Sequence, residues 1–183
     1  MDILILYATL EGQTAKVAER IATELRAKGQ QVDSQAAGHL RADFSLDSYD
    51  AVIIGGSIHM GHFPKPLRHF VEQYHDWLNN HPSAFFTVCM AINSQRPDSR
   101  QQATIYAEKF MTETQWQPRQ TVIFAGAVKY TQYGFITRFI MKMIAKREGG
   151  NTDTSRDHEY TDWDAVVRFT DQFVEGLLAS QRK

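Results

Sequence analysis

At 183 residues, with 43% apolar and 22% charged side chains, the chain has material for one well-packed domain and lacks the bias of a disordered or fibrous protein. A formal net charge of −1 excludes the global basic signature of a nucleic-acid binder, and a lone cysteine, Cys89, excludes an intramolecular disulfide and fits a reducing setting. No run reaches the ~18–20 apolar residues needed to cross a bilayer.

The apolar run Ile3–Tyr7 has no basic leader and reads as a buried first strand over 2–7, not a secretory signal. The polar stretch Thr9-Leu10-Glu11-Gly12-Gln13-Thr14 follows it. Val17, Ala18, Ile21, Ala22 and Leu25 then recur at helical spacing, which predicts a helix over 14–28. Strand, tight loop and helix in that order direct backbone N–H groups, two hydroxyls and the positive end of a helix dipole at one spot, a setting for phosphate. Thr9 and Thr14 equally fit the simpler role of helix caps.

A weak strand is expected over 30–36 and a short helix or loop over 43–48. The run 49–56 is a strong buried strand ending in Gly55-Gly56. These glycines suit either close approach to a flat ring or a tight turn. Ser57, Ile58 and His59 open the next loop, and His59 and His62 are the titratable side chains there. No further ligands stand at metal-site spacing, so no metal is expected. Pro64 and Pro66 start a helix reaching about Leu78. A fourth strand is read over 84–91, with Cys89 inside it as a packed thiol. Residues 91–100 form a polar loop in which Ala91 and Asn93 are candidate cofactor contacts, and a helix over 101–112 follows.

The fifth strand is read over 122–128, and a long segment from Lys129 to Asp157 separates it from a final helix over 162–179. No acidic residue occurs between Glu113 and Glu148. Residues 135–147 read as a basic amphipathic helix. Ile136, Phe139, Ile140, Met143 and Ile144 share one face, and Arg138, Lys142 and Lys146, spaced by four, share another. Arg147 adds a further charge, and Gly149-Gly150 ends the helix. Such a helix either packs its apolar face on the core or meets anionic lipid or an acidic substrate.

Alternating strands and helices imply a parallel sheet covered on both faces, with ligands at the carboxyl ends of the strands. The loops 9–14, 55–63, 91–100 and 129–157 all fall at such ends. There is no Gly-x-Gly-x-x-Gly and no Gly-x-x-x-x-Gly-Lys-Ser/Thr after the first strand, which removes the dinucleotide and P-loop readings. Thr9–Thr14 resembles the flavodoxin phosphate loop, Thr/Ser-x-Thr-Gly-x-Thr, with Glu11 where that family carries a hydroxyl. The backbone N–H of Glu11 is expected to serve a phosphate, and its carboxylate to point away. This resemblance implies a single α/β, flavodoxin-like domain over 1–183. It has a five-stranded parallel sheet, helices on both faces, an insertion at about 129–157 after strand five, and FMN as cofactor.

Over nearly its whole length the chain further resembles the menaquinone-dependent protoporphyrinogen IX dehydrogenases of gammaproteobacteria. The likeness rests on the phosphate loop, Gly55–His62, Pro82–Phe86, Ala125-Gly126-Ala127 with Tyr130, the basic helix, and Gly149–Thr154 ahead of Tyr160–Trp163. It implies oxidation of protoporphyrinogen IX to protoporphyrin IX in haem synthesis, with electrons passing to menaquinone or ubiquinone, by a peripheral enzyme on the cytoplasmic face of the inner membrane. Gly126, Ala127 and Tyr130 join the expected cofactor contacts. A rim of Lys129, Tyr130, Tyr133 and Arg138 is expected to meet the substrate. Residues 134–147, with Lys142, Lys146 and Arg147, are expected to meet the membrane, and His59 and His62 are the side chains that could move a proton. Two other activities fit the fold, an electron carrier of the flavodoxin type and an NAD(P)H:quinone oxidoreductase. A carrier is usually strongly acidic, which this chain is not.

Overall fold

The first strand decides the architecture, because Ile3, Leu4, Ile5 and Leu6 are all fully buried and so face apolar layers on both sides. The computed structural model describes residues 1–181. Strand β1 (Asp2–Ala8) leads into helix α1 (Gln13–Ala27) and returns as β2 (Gln31–Ala36). Strand β3 (Ala51–Ser57), helix α2 (Lys65–Asn80), β4 (Ser83–Val88), α3 (Pro97–Glu113) and β5 (Gln120–Phe124) follow. The order across the sheet is β2-β1-β3-β4-β5, every pair parallel. This is the expected five-stranded parallel sheet, and the order reverses between β1 and β3.

Alternation along the strands splits the core in two. Ile3, Ile5 and Ile53 pack with Val17, Ile21 and Leu25 of α1, and with Phe169 and Phe173 of α5 (Trp163–Gln181). Leu4, Leu6 and Ile54 pack on the opposite layer with Leu67, Phe70 and Val71 of α2 and Phe110 of α3. Gly55 meets the first of these layers and Gly56 the second. A Cβ on Gly55 would lie 2.0 Å from the Phe86 ring, and one on Gly56 would lie 2.5 Å from Leu67. Core side chains therefore fill the space that the sequence left open to a flat ring.

Three boundaries differ from the sequence reading. Strand β4 stops at Val88, and Met90–Asn93 turns as a 3-10 helix, so Cys89 stands just past the strand rather than within it. It is still buried, and burial pushes its thiol up. Helix α3 starts at Pro97 rather than 101, since proline suits the first helical turn. The expected fifth strand is broken. It leaves the sheet after Phe124, and β6 (Ala127–Val128) pairs antiparallel with β7 (His158–Glu159).

Between β6 and β7 lies the insertion, built around α4 (Phe135–Glu148). Gly149 ends that helix at φ 76, and a side chain there would also run into Gln95. No residue of α4 is buried. The side turned toward the body carries Arg138, Met141, Ala145 and Glu148, all half-buried. Phe135 (86% exposed), Ile136 (74%) and Phe139 (61%) face solvent, with Ile140 and Met143 beside them. Among the described residues no helix is long and apolar enough to cross a membrane.

Candidate functional site

The loop after β1 turns tightly into α1. Gly12 adopts φ 85, a conformation that side-chain-bearing residues resist, and it turns the chain into α1. Its N–H donates to Thr9 Oγ1 at 2.9 Å. Thr9 is thus committed to shaping the loop, while the amides of Leu10 and Glu11 find no acceptor among the described residues. The first-turn amides of α1 are unpaired as at any helix start, and they add the positive end of its dipole. Thr14 is buried, and its hydroxyl has no partner among the described residues. Ser57 Oγ, at the end of β3, is also buried and unpartnered. An orphaned buried hydroxyl costs stability unless something fills its bond. These two hydroxyls and the loop amides therefore fit a phosphorylated ligand.

Gln13 serves the loop differently. Its side chain is buried, and Nε2 donates to Thr161 Oγ1, which donates in turn to the carbonyl of Ala125. The phosphate loop is thereby tied to the segment after β5. Lys16 pairs with Glu159 at 2.9 Å in the same region. Burial pushes the Glu159 carboxyl up, but its bonds to Lys16, Gln13 and Trp163 outweigh this and hold it below the usual range.

The loop after β3 closes on itself. His59 and His62 exchange both backbone hydrogen bonds, at 2.9 and 3.0 Å, around Met60 (φ 49) and Gly61 (φ 79). Two positive φ values in a two-residue turn make a tight hairpin. Both imidazoles are exposed and Met60 stands at the tip. No cluster of three metal-ligating side chains exists among the described residues. Ile58 N–H bonds the carbonyl of Val88, so this hairpin and the Met90–Asn93 turn stand side by side. Ala91 is half-buried and Asn93 exposed in that turn. Gly126 lies behind it against Val88, its carbonyl accepting from Tyr160 N–H, and Ala127 is buried in β6.

The insertion corrects the expected rim. Tyr130 is fully buried. Its hydroxyl donates to the carbonyl of Asn151, and its ring stands edge-on to Tyr133 and His158, so it is the core of the insertion and not part of a surface. Arg138 does not share an outward face with Lys142 and Lys146. Its guanidinium donates to the carbonyls of Tyr130 and Tyr133, at 2.9 and 3.1 Å, and staples the start of α4 to the body. Tyr133 reaches the phosphate loop, its hydroxyl 2.8 and 2.9 Å from the Glu11 carboxylate oxygens. Burial, then the Glu11 carboxylate, hold that phenol strongly protonated. Lys129 is half-buried, while Lys142, Lys146 and Arg147 are exposed.

Two anchors went unseen in the sequence. Asp157 accepts from both the N–H and the hydroxyl of Thr131, which hold its carboxyl below the usual range. Glu148 accepts from Ser94 at 2.6 Å, and its own carbonyl takes the Gln95 N–H. The available signal for Glu148 was its place as the first acid after the run that is free of acids from Glu113 on; Asp157, with Asp153 and Glu159 close by, carried none.

A 2-1-3-4-5 parallel sheet, with loops after β1, β3 and β4 at the carboxyl ends of its strands, defines a flavodoxin-type domain. Residues 4–155 match the model of the flavodoxin domain, which implies a flavin site. The fold is also that of oxidised flavodoxin 1 from Bacillus cereus, at a TM-score of 0.58 and 15% identity over 96% of this chain and 98% of that one. The chain is 39% identical over 170 residues, 92% of each protein, to the protoporphyrinogen IX dehydrogenase [quinone] of Escherichia coli K12. It is 34% identical over 181 residues to the protein of that name from Leishmania major, covering 96% of this chain and 76% of the relative. The chain belongs to this family of flavodoxin-domain oxidoreductases.

Proposed function

We propose that this chain oxidises protoporphyrinogen IX to protoporphyrin IX with FMN and delivers the electrons to a membrane quinone, menaquinone or ubiquinone. When bound, FMN supplies the redox chemistry, taking electrons from one partner and releasing them to another. The protein binds, orients and shields. Thr14, the loop amides of Leu10–Thr14 and Ser57 hold the phosphate and adjoining ribityl chain. Ile58, His59, Ala91 and Asn93 border the ring, and Gly126 and Ala127 back it. Lys129, half-buried directly after β6, is suited to a substrate propionate.

The observation that carries the reading is the outer face of α4. Phe135, Ile136, Phe139, Ile140 and Met143 are exposed together, beside Lys142, Lys146 and Arg147. A helix that keeps its apolar side in water is costly unless lipid covers it. Each Lys or Arg near an anionic leaflet contributes about 1 kcal/mol, enough in sum for reversible attachment. Residues 134–147 are thus the contact of a peripheral protein with the inner membrane, on its cytoplasmic face, where a lipid-soluble acceptor is reached. An acidic electron carrier has no use for such a face.

The test is a purified protein whose flavin is identified chromatographically, mixed with protoporphyrinogen IX and a short-chain quinone in liposomes. Porphyrin fluorescence and quinol should rise together. Protein that holds FMN yet couples no quinone reduction to porphyrinogen overturns the reading. Rapid bleaching by NADH or NADPH alone would favour the NAD(P)H:quinone activity instead.

A further inference from the structure

A cavity of about 400 Å³ lies between the start of α3 and the inward side of α4. We infer that it is the seat of the quinone head group, entered from the lipid-facing surface of α4. This rests on the reading that a membrane quinone is the acceptor.

Its walls are apolar where α4 forms them. Met141, Ile144 and Ala145 project into it, and Val128 of β6 closes one side. Ile144 belongs to two surfaces at once. It lines the cavity, and it is 46% exposed at the edge of the outer apolar face of α4. Apolar surface therefore runs from that face into the cavity without a polar break. A molecule dissolved in lipid can enter without crossing water, and its isoprenoid tail can remain along Ile144 and Ile140.

The floor points the same way. It is made by Met90 and Ala91, in the turn that follows β4 at the carboxyl edge of the sheet. That edge, next to the strand-order reversal, is where ligands of such folds sit. A head group on this floor shares the turn with the flavin, whose ring Ala91 and Asn93 border on the proposed reading.

The polar inventory separates a quinone from the other substrate. The amides of Asn93 and Gln102 line the cavity and make no side-chain hydrogen bond to another described residue. Each offers N–H donors to a carbonyl oxygen. The charged side chains in the lining are Asp98 and Glu148, both acidic, and no basic residue is among them. Glu148 is already bonded to Ser94, which holds its carboxyl below the usual range. A porphyrinogen would place its propionates against these acids. A neutral, flat ring with two carbonyls meets donors and apolar walls.

The test uses the flavin-loaded protein and an azido-quinone photoprobe carrying one isoprene unit. Label is expected in the segments 90–102 and 141–148, with protection by unlabelled menaquinone of short chain. The variant Ala145→Phe fills the cavity, and Gln102→Leu removes a donor at nearly constant volume. Each should cut labelling at least ~tenfold and raise the quinone KM by a similar factor, a change of about 1.4 kcal/mol. Flavin content and unfolding midpoint report that each variant folds. Label elsewhere, or an equal rise in the porphyrinogen KM, or protection by porphyrinogen rather than quinone, overturns the assignment. Wild-type protein that oxidises porphyrinogen with ferricyanide but leaves both segments unlabelled overturns the cavity alone. Wild-type protein that oxidises no porphyrinogen with any acceptor overturns the reading of function, while label in both segments would still support the quinone seat.

Discussion

Tyr133 and Glu11 are 122 positions apart, yet the phenol of one sits on the carboxylate of the other at 2.8 and 2.9 Å. The bond explains a residue at odds with the phosphate loop that contains it. Glu11 gives its charge to the insertion. The loop after β1 and the segment that carries α4 are thereby one mechanical unit. A hydrogen bond to a charged, partly buried group contributes about 1.5–3 kcal/mol. Tyr133→Phe should therefore loosen residues 129–157 in hydrogen exchange. It should also weaken FMN binding several-fold, because the released carboxylate is free to face the phosphate. Unchanged exchange across 129–157 would remove Tyr133 from this role.

Thr14 gives a cleaner test of the proposed anion site, since its buried hydroxyl is unpartnered among the described residues. Thr14→Val keeps the shape and removes the donor. Loss of a charge-assisted bond predicts a fall in FMN affinity of roughly ten- to a hundredfold. Riboflavin, which has no phosphate, should bind both proteins alike in a fluorescence-quenching titration. The unloaded variant should be no less stable than the parent, because no protein bond is lost.

On α4 the structure selects which charges to reverse. Lys142, Lys146 and Arg147 are exposed, whereas Arg138 is spent on two carbonyls. Replacing the three exposed cations by Glu should abolish sedimentation with anionic vesicles at low salt, each change costing about 1 kcal/mol or more. Binding of the parent should fall as salt screens the same charges. Arg138→Glu should instead lower the unfolding midpoint, by stripping the start of α4 from Tyr130 and Tyr133. Vesicle binding by the triple variant equal to the parent's would exclude a lipid role for these cations.

The anchors of the insertion make its attachment sensitive to acid. Asp157 is held below the usual carboxylate range by the N–H and hydroxyl of Thr131. Glu148 is held low by Ser94 and Ser99. A carboxyl whose folded pKa is depressed contributes stability that is present above its unfolded pKa, near ~4, and lost as pH falls through the folded value. The insertion should therefore stay docked at neutral pH and release below about pH 4. Proteolysis between Lys129 and Asp157 should rise in that window. Asp157→Asn should reduce the pH dependence of that cleavage.

Much of the fold was legible in the chain. Buried runs such as Ile3–Leu6 and Ala51–Ile54, alternating with helical spacing, leave few arrangements besides a parallel sheet covered on both faces. The glycine at position 12 between strand and helix was enough to mark a tight turn, because positive φ at that point is a local requirement. What the sequence could not decide were relations between distant surfaces. An amphipathic pattern is the same whether its apolar side meets a core or a lipid, and only the docking of α4 by Arg138, Glu148 and Ala145 turned that side outward. Tyr130 was buried, and Glu11 found its partner, through contacts across 21 and 122 positions. Periodicity and capping act within a few residues of the chain, so they determined the elements. Packing and long-range hydrogen bonds act between elements, and they decided which residues are buried, which stay exposed and which meet one another.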